Sequence, residues 1–366
     1  MPTMVIPNQW IGVGDLSLTM CWGYDQITIE SFWGYPMPTI KDVAKLAGVS
    51  ISTASLAFNH PSRVAEETRT RILEASKRLQ YRPNGAARDL RIRRTQTVAV
   101  LLHDLSGPFY SELVQGVQVE ADRCRYNMVI SHSNRQDSIG RLLYENRVDG
   151  AILLDPYVSD DVVLDLADQR FPMVVLDRDL SHEFMVSIAA DHEGGAYEAT
   201  RYLFGAGYHD IFYMAGPQNS LDSQLRFRGY QRALIEAHIT PPSSPLAHGD
   251  FTEEGGIRET QNLLAGGHLP DAIFAANDEM ALGVLQVLRE HHIAVPHDMG
   301  LIGFDDIRIA QYVSPQLSTV RQPMYELGVQ AMRQLLRLLA GEPVQQRIVL
   351  GTSLVLRGTC PVLSEY

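Results

Sequence analysis

Residues 39–90 read TIKDVAKLAGVSISTASLAFNHPSRVAEETRTRILEASKRLQYRPNGAARDL. Thr39 suits the cap of a helix whose apolar residues, Ile40, Val43, Ala44, Leu46 and Ala47, recur at helical spacing. Gly48 suits the left-handed residue that ends such a helix. Val49 fills a tight turn, and Ser50 then caps a second helix over Ile51–Phe58. A third helix is predicted over Ala65–Leu79, with Val64, Ile72, Leu73, Ala75 and Leu79 facing inward. Glu66 and Glu67 sit at its start, where the helix dipole favours acids. Three short helices with a Gly-Val turn between the first two are the helix-turn-helix arrangement, one that many other small helical bundles share; in a helix-turn-helix the second helix would enter a DNA major groove by its N-terminal end.

The charge follows this boundary. The chain has 366 residues and a net charge of −12, yet residues 37–94 hold twelve Lys/Arg against five Asp/Glu. Residues 95–366 hold nineteen against thirty-five. A small basic module joined to a large acidic body points to nucleic-acid binding at one end and a different task at the other. The length implies two or three domains. No apolar run reaches the length of a membrane span, and three scattered cysteines make neither a disulfide framework nor a zinc set, which fits a reducing cytoplasm. Residues 1–36 contain all three tryptophans and show no helical or strand period. We read them as a non-native or disordered extension, with Met37 as the natural start.

The stretch 39–90 resembles the DNA-binding headpiece of the lactose-repressor (LacI/GalR) family of bacterial transcription regulators. The matches are Asp42-Val43-Ala44, Ala47-Gly48-Val49-Ser50, Thr53-Ala54-Ser55, Asn59, Val64, Thr68-Arg69 and Tyr81-Arg82-Pro83-Asn84. The resemblance implies that Ile51, Ser52 and Leu56 face bases, while Ser50, Thr53, Ser55 and Asn59 contact phosphates. Thr39 and Tyr81 join them as DNA-binding residues. The family commonly has polar or basic side chains where this chain has Ile51 and Leu56. Neither can hydrogen-bond a base edge, though each suits a thymine methyl.

Residues 83–96 imply a hinge. Asn84 can cap a short helix containing Arg88 and Leu90, too short to be stable alone in water. The resemblance implies that it folds on DNA, pairs with its twin and inserts Leu90 into the minor groove. Arg88 and Arg91 would neutralise neighbouring phosphates.

From Val98 the chain alternates strands and helices. Strands are predicted at 98–103, 127–132, 148–154, 173–177, 210–215, 271–275 and 299–304. Helices are predicted at 109–125, 138–146, 159–169, 193–206, 223–237, 253–265 and 278–291. This is an α/β pattern with parallel sheets in two lobes, here about 97–190 with 321–350, and about 191–320 with 351–366. Ligands bind outside the carboxyl ends of such strands. AGPQNS, AANDEMALG, LIGFDD and STVRQP extend the resemblance through about residue 358, and it implies the two-lobed fold of periplasmic sugar-binding proteins. Asp104, Phe109, Tyr110, Asp177, Arg178, Asp191, Ser220, Asp222, Arg226, Phe251, Asn277 and Asp305 are then the candidate effector-binding residues. For Asp191 and Asp222, capping of the following helix is an equal alternative.

Carboxylates and amides in this number suit the vicinal hydroxyls of a sugar; a purine or nucleoside is the second choice. His291, His292 and His297 lack an acid or cysteine at ligand spacing and are read as surface residues, so no metal is expected. No dinucleotide, P-loop, zincin or nucleophile-elbow motif is present, and no cofactor or catalytic residue is expected. The sequence therefore reads as a cytoplasmic, ligand-controlled repressor, with no membrane partner, that binds a palindromic operator as a homodimer. A purine- or nucleoside-responsive corepressor type stands second and a solute-binding protein third.

Overall fold

A computed structural model describes residues 38–83, 94–103, 109–132, 142–145, 147–155, 158–242, 247–267 and 269–360. They fall into two compact units, the first ending within 84–93.

The first unit is three helices: α1 (Ile40–Ala47), α2 (Ile51–Asn59) and α3 (Glu66–Arg78). Thr39 donates from its backbone N–H and its hydroxyl to Asp42 Oδ2, at 2.8 and 2.7 Å, which fixes the start of α1. Gly48 ends α1 at φ 67°, a left-handed conformation that glycine adopts without strain. Ser50 Oγ accepts from Thr53 N–H at 3.1 Å and caps α2. Val43, Ala44, Ala47, Ala54, Ala57, Ile72 and Ala75 form the core, flanked by Phe58 and Tyr81. One expected inward residue differs: Leu73 is 36% exposed, because small alanines leave a narrow seam that its longer side chain lies outside; Leu46, an apolar residue of α1, is 50% exposed for the same reason.

The second unit holds two parallel sheets. The first has the order β11-β5-β4-β3-β1-β2, built from β1 (Thr97–Leu102), β2 (Asn127–His132), β3 (Gly150–Leu154), β4 (Met173–Leu176), β5 (Met185–Ala190) and β11 (Arg347–Leu350). The second has the order β7-β6-β8-β9, from β6 (Ile211–Ala215), β7 (Ala247–His248), β8 (Ala272–Ala275) and β9 (Gly300–Ile302). β10 (Thr319–Arg321) pairs antiparallel with β12 (Ser353–Val355). In each parallel sheet the order reverses beside its first strand, β1 or β6, which makes the carboxyl ends there the natural ligand position.

The covering helices are α4 (Tyr110–Arg123), α5 (Asp160–Asp168), α6 (His192–Gly205), α7 (Leu221–Glu236), α8 (Glu253–Ala265), α9 (Asp278–Glu290) and α10 (Met324–Ala340). Apolar clusters fill both faces of the first sheet and surround the second. α4 and α10 approach backbone to backbone: a Cβ on Gly116 would meet Tyr325 O at 2.2 Å, and one on Gly328 would meet Leu113 O at 2.1 Å. The helix expected at 138–146 lies mostly outside the described residues. β5, β7, β10, β11, β12 and α10 were not among the expected elements.

Candidate functional site

Arg226 projects from α7 and is 2% exposed, the largest of the fully buried side chains among the described residues. A guanidinium can only donate, so each neighbour must accept. Nη1 donates to Ala276 O at the end of β8. It also lies 3.4 Å from Asp305 Oδ1, just beyond β9. Nη2 reaches Asp222 Oδ2 at 3.4 Å, one helical turn back on α7. Nε donates to His192 Nδ1 at 3.4 Å. That leaves the proton of His192 on Nε2, which donates to Asp177 Oδ1 at 2.8 Å. Asp177 follows β4 in the first sheet and Arg226 belongs to the second. His192, only 1% exposed, therefore joins the two lobes by a buried polar link.

Aromatic faces close the cluster. The guanidinium carbon lies 4.0 Å from the Phe304 ring centroid and 5.4 Å from that of Phe251. Asn277 caps α9 through Met280 N–H at 3.0 Å and donates to Phe251 O at 3.0 Å, holding the β7 loop in place. Ser220 donates to Asp222.

Burial pushes the Asp305 carboxyl up to about 7, against the pull of Arg226 and the hydrogen bond from Gln322. Gln322 Nε2 donates to Asp305 Oδ1 at 2.7 Å. Burial, with Asp305 nearby, also raises Asp278 well above the usual carboxylate range. Asp278 accepts from Ile307 N–H at 2.9 Å and from Thr319 Oγ1 at 2.6 Å, and so fixes the loop that carries Asp305. A carboxyl whose folded pKa is raised stabilises the fold below its unfolded value and loses that contribution as pH rises. The stability of the chain is therefore expected to contain a component that falls between about pH 4 and about pH 7. Urea unfolding at pH 5 and pH 7.5 checks this: Asp305→Asn flattens the difference, and an unchanged difference assigns it to another group.

Asp177, Ser220, Asp222, Arg226, Phe251, Asn277 and Asp305 thus come together. Others do not join them. Arg178 donates to Asp160 Oδ1 at 2.5 Å and to the carbonyls of Asp155 and Val158. It braces the β3–α5 connection, because the acidic start of α5 competes for it. Asp191 is exposed and accepts from Gly194 N–H at 2.9 Å, capping α6. Phe109 and Tyr110 meet edge to face at 5.2 Å and pack on the core of the first lobe. Asp104 lies outside the described residues.

His192, Phe304 and Gln322 are the cluster residues that sequence reasoning missed. His192 follows a strand that was not expected, and Gln322 sits in the quoted STVRQP segment. Two open hollows of 510 and 470 Å³ flank Gly351–Ser353, and Arg226, Asp222 and Asp305 line neither.

In the headpiece, Ile51 is 47% exposed at the first turn of α2, Ser52 and Asn59 are exposed, and Leu56 is half-buried. Thr53 Oγ1 and Ser52 Oγ each lie 2.8 Å from Ser50 Oγ. Asn59 Nδ2 donates to Ser55 O at 2.9 Å and lies 3.2 Å from Ser55 Oγ. Tyr81 packs on Phe58, ring centroids 5.8 Å apart. Asn84, Arg88, Leu90 and Arg91 lie outside the described residues.

Residues 39–84 match the family described as bacterial regulatory proteins, lacI family. Residues 200–360 match the periplasmic binding protein-like domain. Catabolite control protein A of Priestia megaterium is 36% identical over 316 residues, 85% of this chain and 95% of that protein. The HTH-type transcriptional repressor PurR of Edwardsiella ictaluri is 36% identical over 306 residues, 82% of this chain and 90% of that one. Among solved structures, the lac repressor dimer bound to operator and the anti-inducer ONPF superposes with a TM-score of 0.76 at 29% identity, covering 88% of this chain and 99% of that one. The transcriptional regulator CelR–cellobiose complex gives a TM-score of 0.68 at 32% identity, with 88% and 99% covered.

Proposed function

The chain belongs to the lacI family of bacterial regulatory proteins, and from that membership we propose that it is a transcriptional repressor controlled by a small molecule held between its two lobes. It binds a near-palindromic operator as a homodimer. Each headpiece reads one half-site, and residues 83–96 form the hinge, with Leu90 as the minor-groove wedge. The observation that carries the reading is the convergence of three strand ends, those of β7, β8 and β9, and two helices, α6 and α7, on one buried guanidinium.

The effector is a sugar. Asp177, Asp222 and Asp305 offer carboxylate oxygens, which match the donors of a polyol. Phe251 and Phe304 are already faced by the guanidinium, so a flat purine finds less bare aromatic surface. The solved CelR relative is in complex with cellobiose, which supports the same choice. The similarity to PurR supports a purine or nucleoside as the second reading. A ligand that competes for the donors of Arg226 also loosens His192 from Asp177, so ligand contact and lobe angle change together. The hinge then shifts between ordered and disordered forms.

Thermal unfolding of the full chain against a panel of sugars and purines tests this. A ligand at about 100 times its Kd adds about 2.7 kcal/mol of stability. A sugar hit supports the first reading and a purine hit the second. No stabilisation by any member of either class contradicts both.

A further inference from the structure

We infer that Ile51 and Leu56 make the sequence choice of this headpiece by contact with thymine C5-methyl groups, so that the operator half-site carries thymine under α2. This rests on the operator-binding reading above and names the base chemistry it uses. A recognition helix presents its first turns to base edges, and the polar code there is normally read by amide, guanidinium, ammonium or carboxylate side chains. α2 reads ISTASLAFN and contains no Arg, Lys, Gln, Glu or Asp. Its one amide, Asn59, lies at the far end and donates back to Ser55. The Ser52 and Thr53 hydroxyls are engaged with Ser50, and Ser55 receives Asn59.

What the first turn does present is an apolar surface. Ile51 is 47% exposed although Val43, Ala54 and Ile72 nearby are fully buried. The headpiece core therefore has no need of Ile51. Leu56 lies at i+4 from Ser52 and so shares the face of that exposed position. The cations that neutralise phosphates, among them Lys41, Lys45, Arg63 and Arg69, stand on other segments and are exposed. Affinity and base choice are thus separated: charge comes from around α2, and discrimination comes from two aliphatic side chains. The thymine methyl is the one apolar group on a major-groove edge, which leaves it as their partner.

The experiment uses the full chain. An operator is first selected from randomised duplex DNA, and its affinity is then measured with single deoxythymidines replaced by deoxyuridine, which removes only the methyl group. The expected result is thymine in each half-site under α2 and a loss of about three- to fivefold per methyl removed. Ile51→Ala, at an exposed position, keeps the fold and abolishes the difference between the two duplexes at its own site; Leu56→Ala does so at a second. Half-sites that specify G·C at these positions, or uridine duplexes bound as tightly as thymidine ones, overturn the inference and leave the repressor reading standing. Failure to enrich any sequence overturns both.

Discussion

Arg226→Ala is expected to lower the unfolding temperature by roughly 6–20 °C. Removing one partner of a buried ion pair typically costs about 3–5 kcal/mol, because the other charges stay behind. A domain of this size shifts by roughly 2–4 °C per kcal/mol. Here Asp222 and Asp305 lose their cation, and the Ala276 carbonyl and His192 Nδ1 lose their donor. The loss is expected to be smaller at pH 6 than at pH 8, since Asp305 titrates near 7 and can take up a proton instead. The same variant no longer responds to the effector. Calorimetry at the two pH values, with and without ligand, reads all three effects. A stable variant with an intact response would mean that Arg226 neither holds the buried cluster together nor takes part in effector binding.

A chain that begins at residue 95 is expected to lose DNA affinity by at least about a thousandfold, the usual gap between operator binding and residual contact. The physical reason is charge. Residues 95–366 carry nineteen Lys/Arg against thirty-five Asp/Glu, so this unit repels phosphates. Its core clusters are its own and share no residue with the headpiece core. It should therefore still unfold cooperatively and still be stabilised by the effector. Anisotropy on operator DNA at fixed salt checks the first expectation, and thermal unfolding the second. Retained DNA affinity in the shortened chain would place the DNA contact in the wrong unit.

The headpiece was legible because its determinants are local. Caps at Thr39 and Ser50, the left-handed Gly48 and a 3.6-residue apolar period lie within a few residues of what they control. Of the longer strands of the body, most were legible as apolar runs bounded by polar residues; β5, Met185–Ala190, was not, because Ser187 breaks its run. β7, β10 and β12 have two or three residues each and exist through pairing with distant strands, as Thr319–Arg321 does with Ser353–Val355. Nothing local announces them. α10 is different: Met324, Leu327, Ala331 and Leu335 have helical spacing that the sequence itself displays.

The site divides along the same line. Asp222, Asn277 and Asp305 follow strands or open helices and were legible by position, and Arg226 lies one turn into the helix that Asp222 opens. Arg178 has the same kind of position, yet its donors go to Asp160 and two carbonyls, because the start of α5 folds back to it. His192 and Gln322 gain their roles only when the lobes meet. Their sequence neighbours give no hint that one will bridge Asp177 to Arg226 and the other will hold Asp305.

A small molecule between the lobes, on this proposal, sets the affinity of the headpiece for DNA. The direct test is a titration of the full chain on its selected operator, with and without the ligand that stabilises it in thermal unfolding. Coupling between sites in such systems is about 1–3 kcal/mol. Operator Kd is expected to change by about fivefold or more when the ligand is bound, and Arg226→Lys to remove the change. An operator Kd that stays the same with the ligand bound would contradict the proposal.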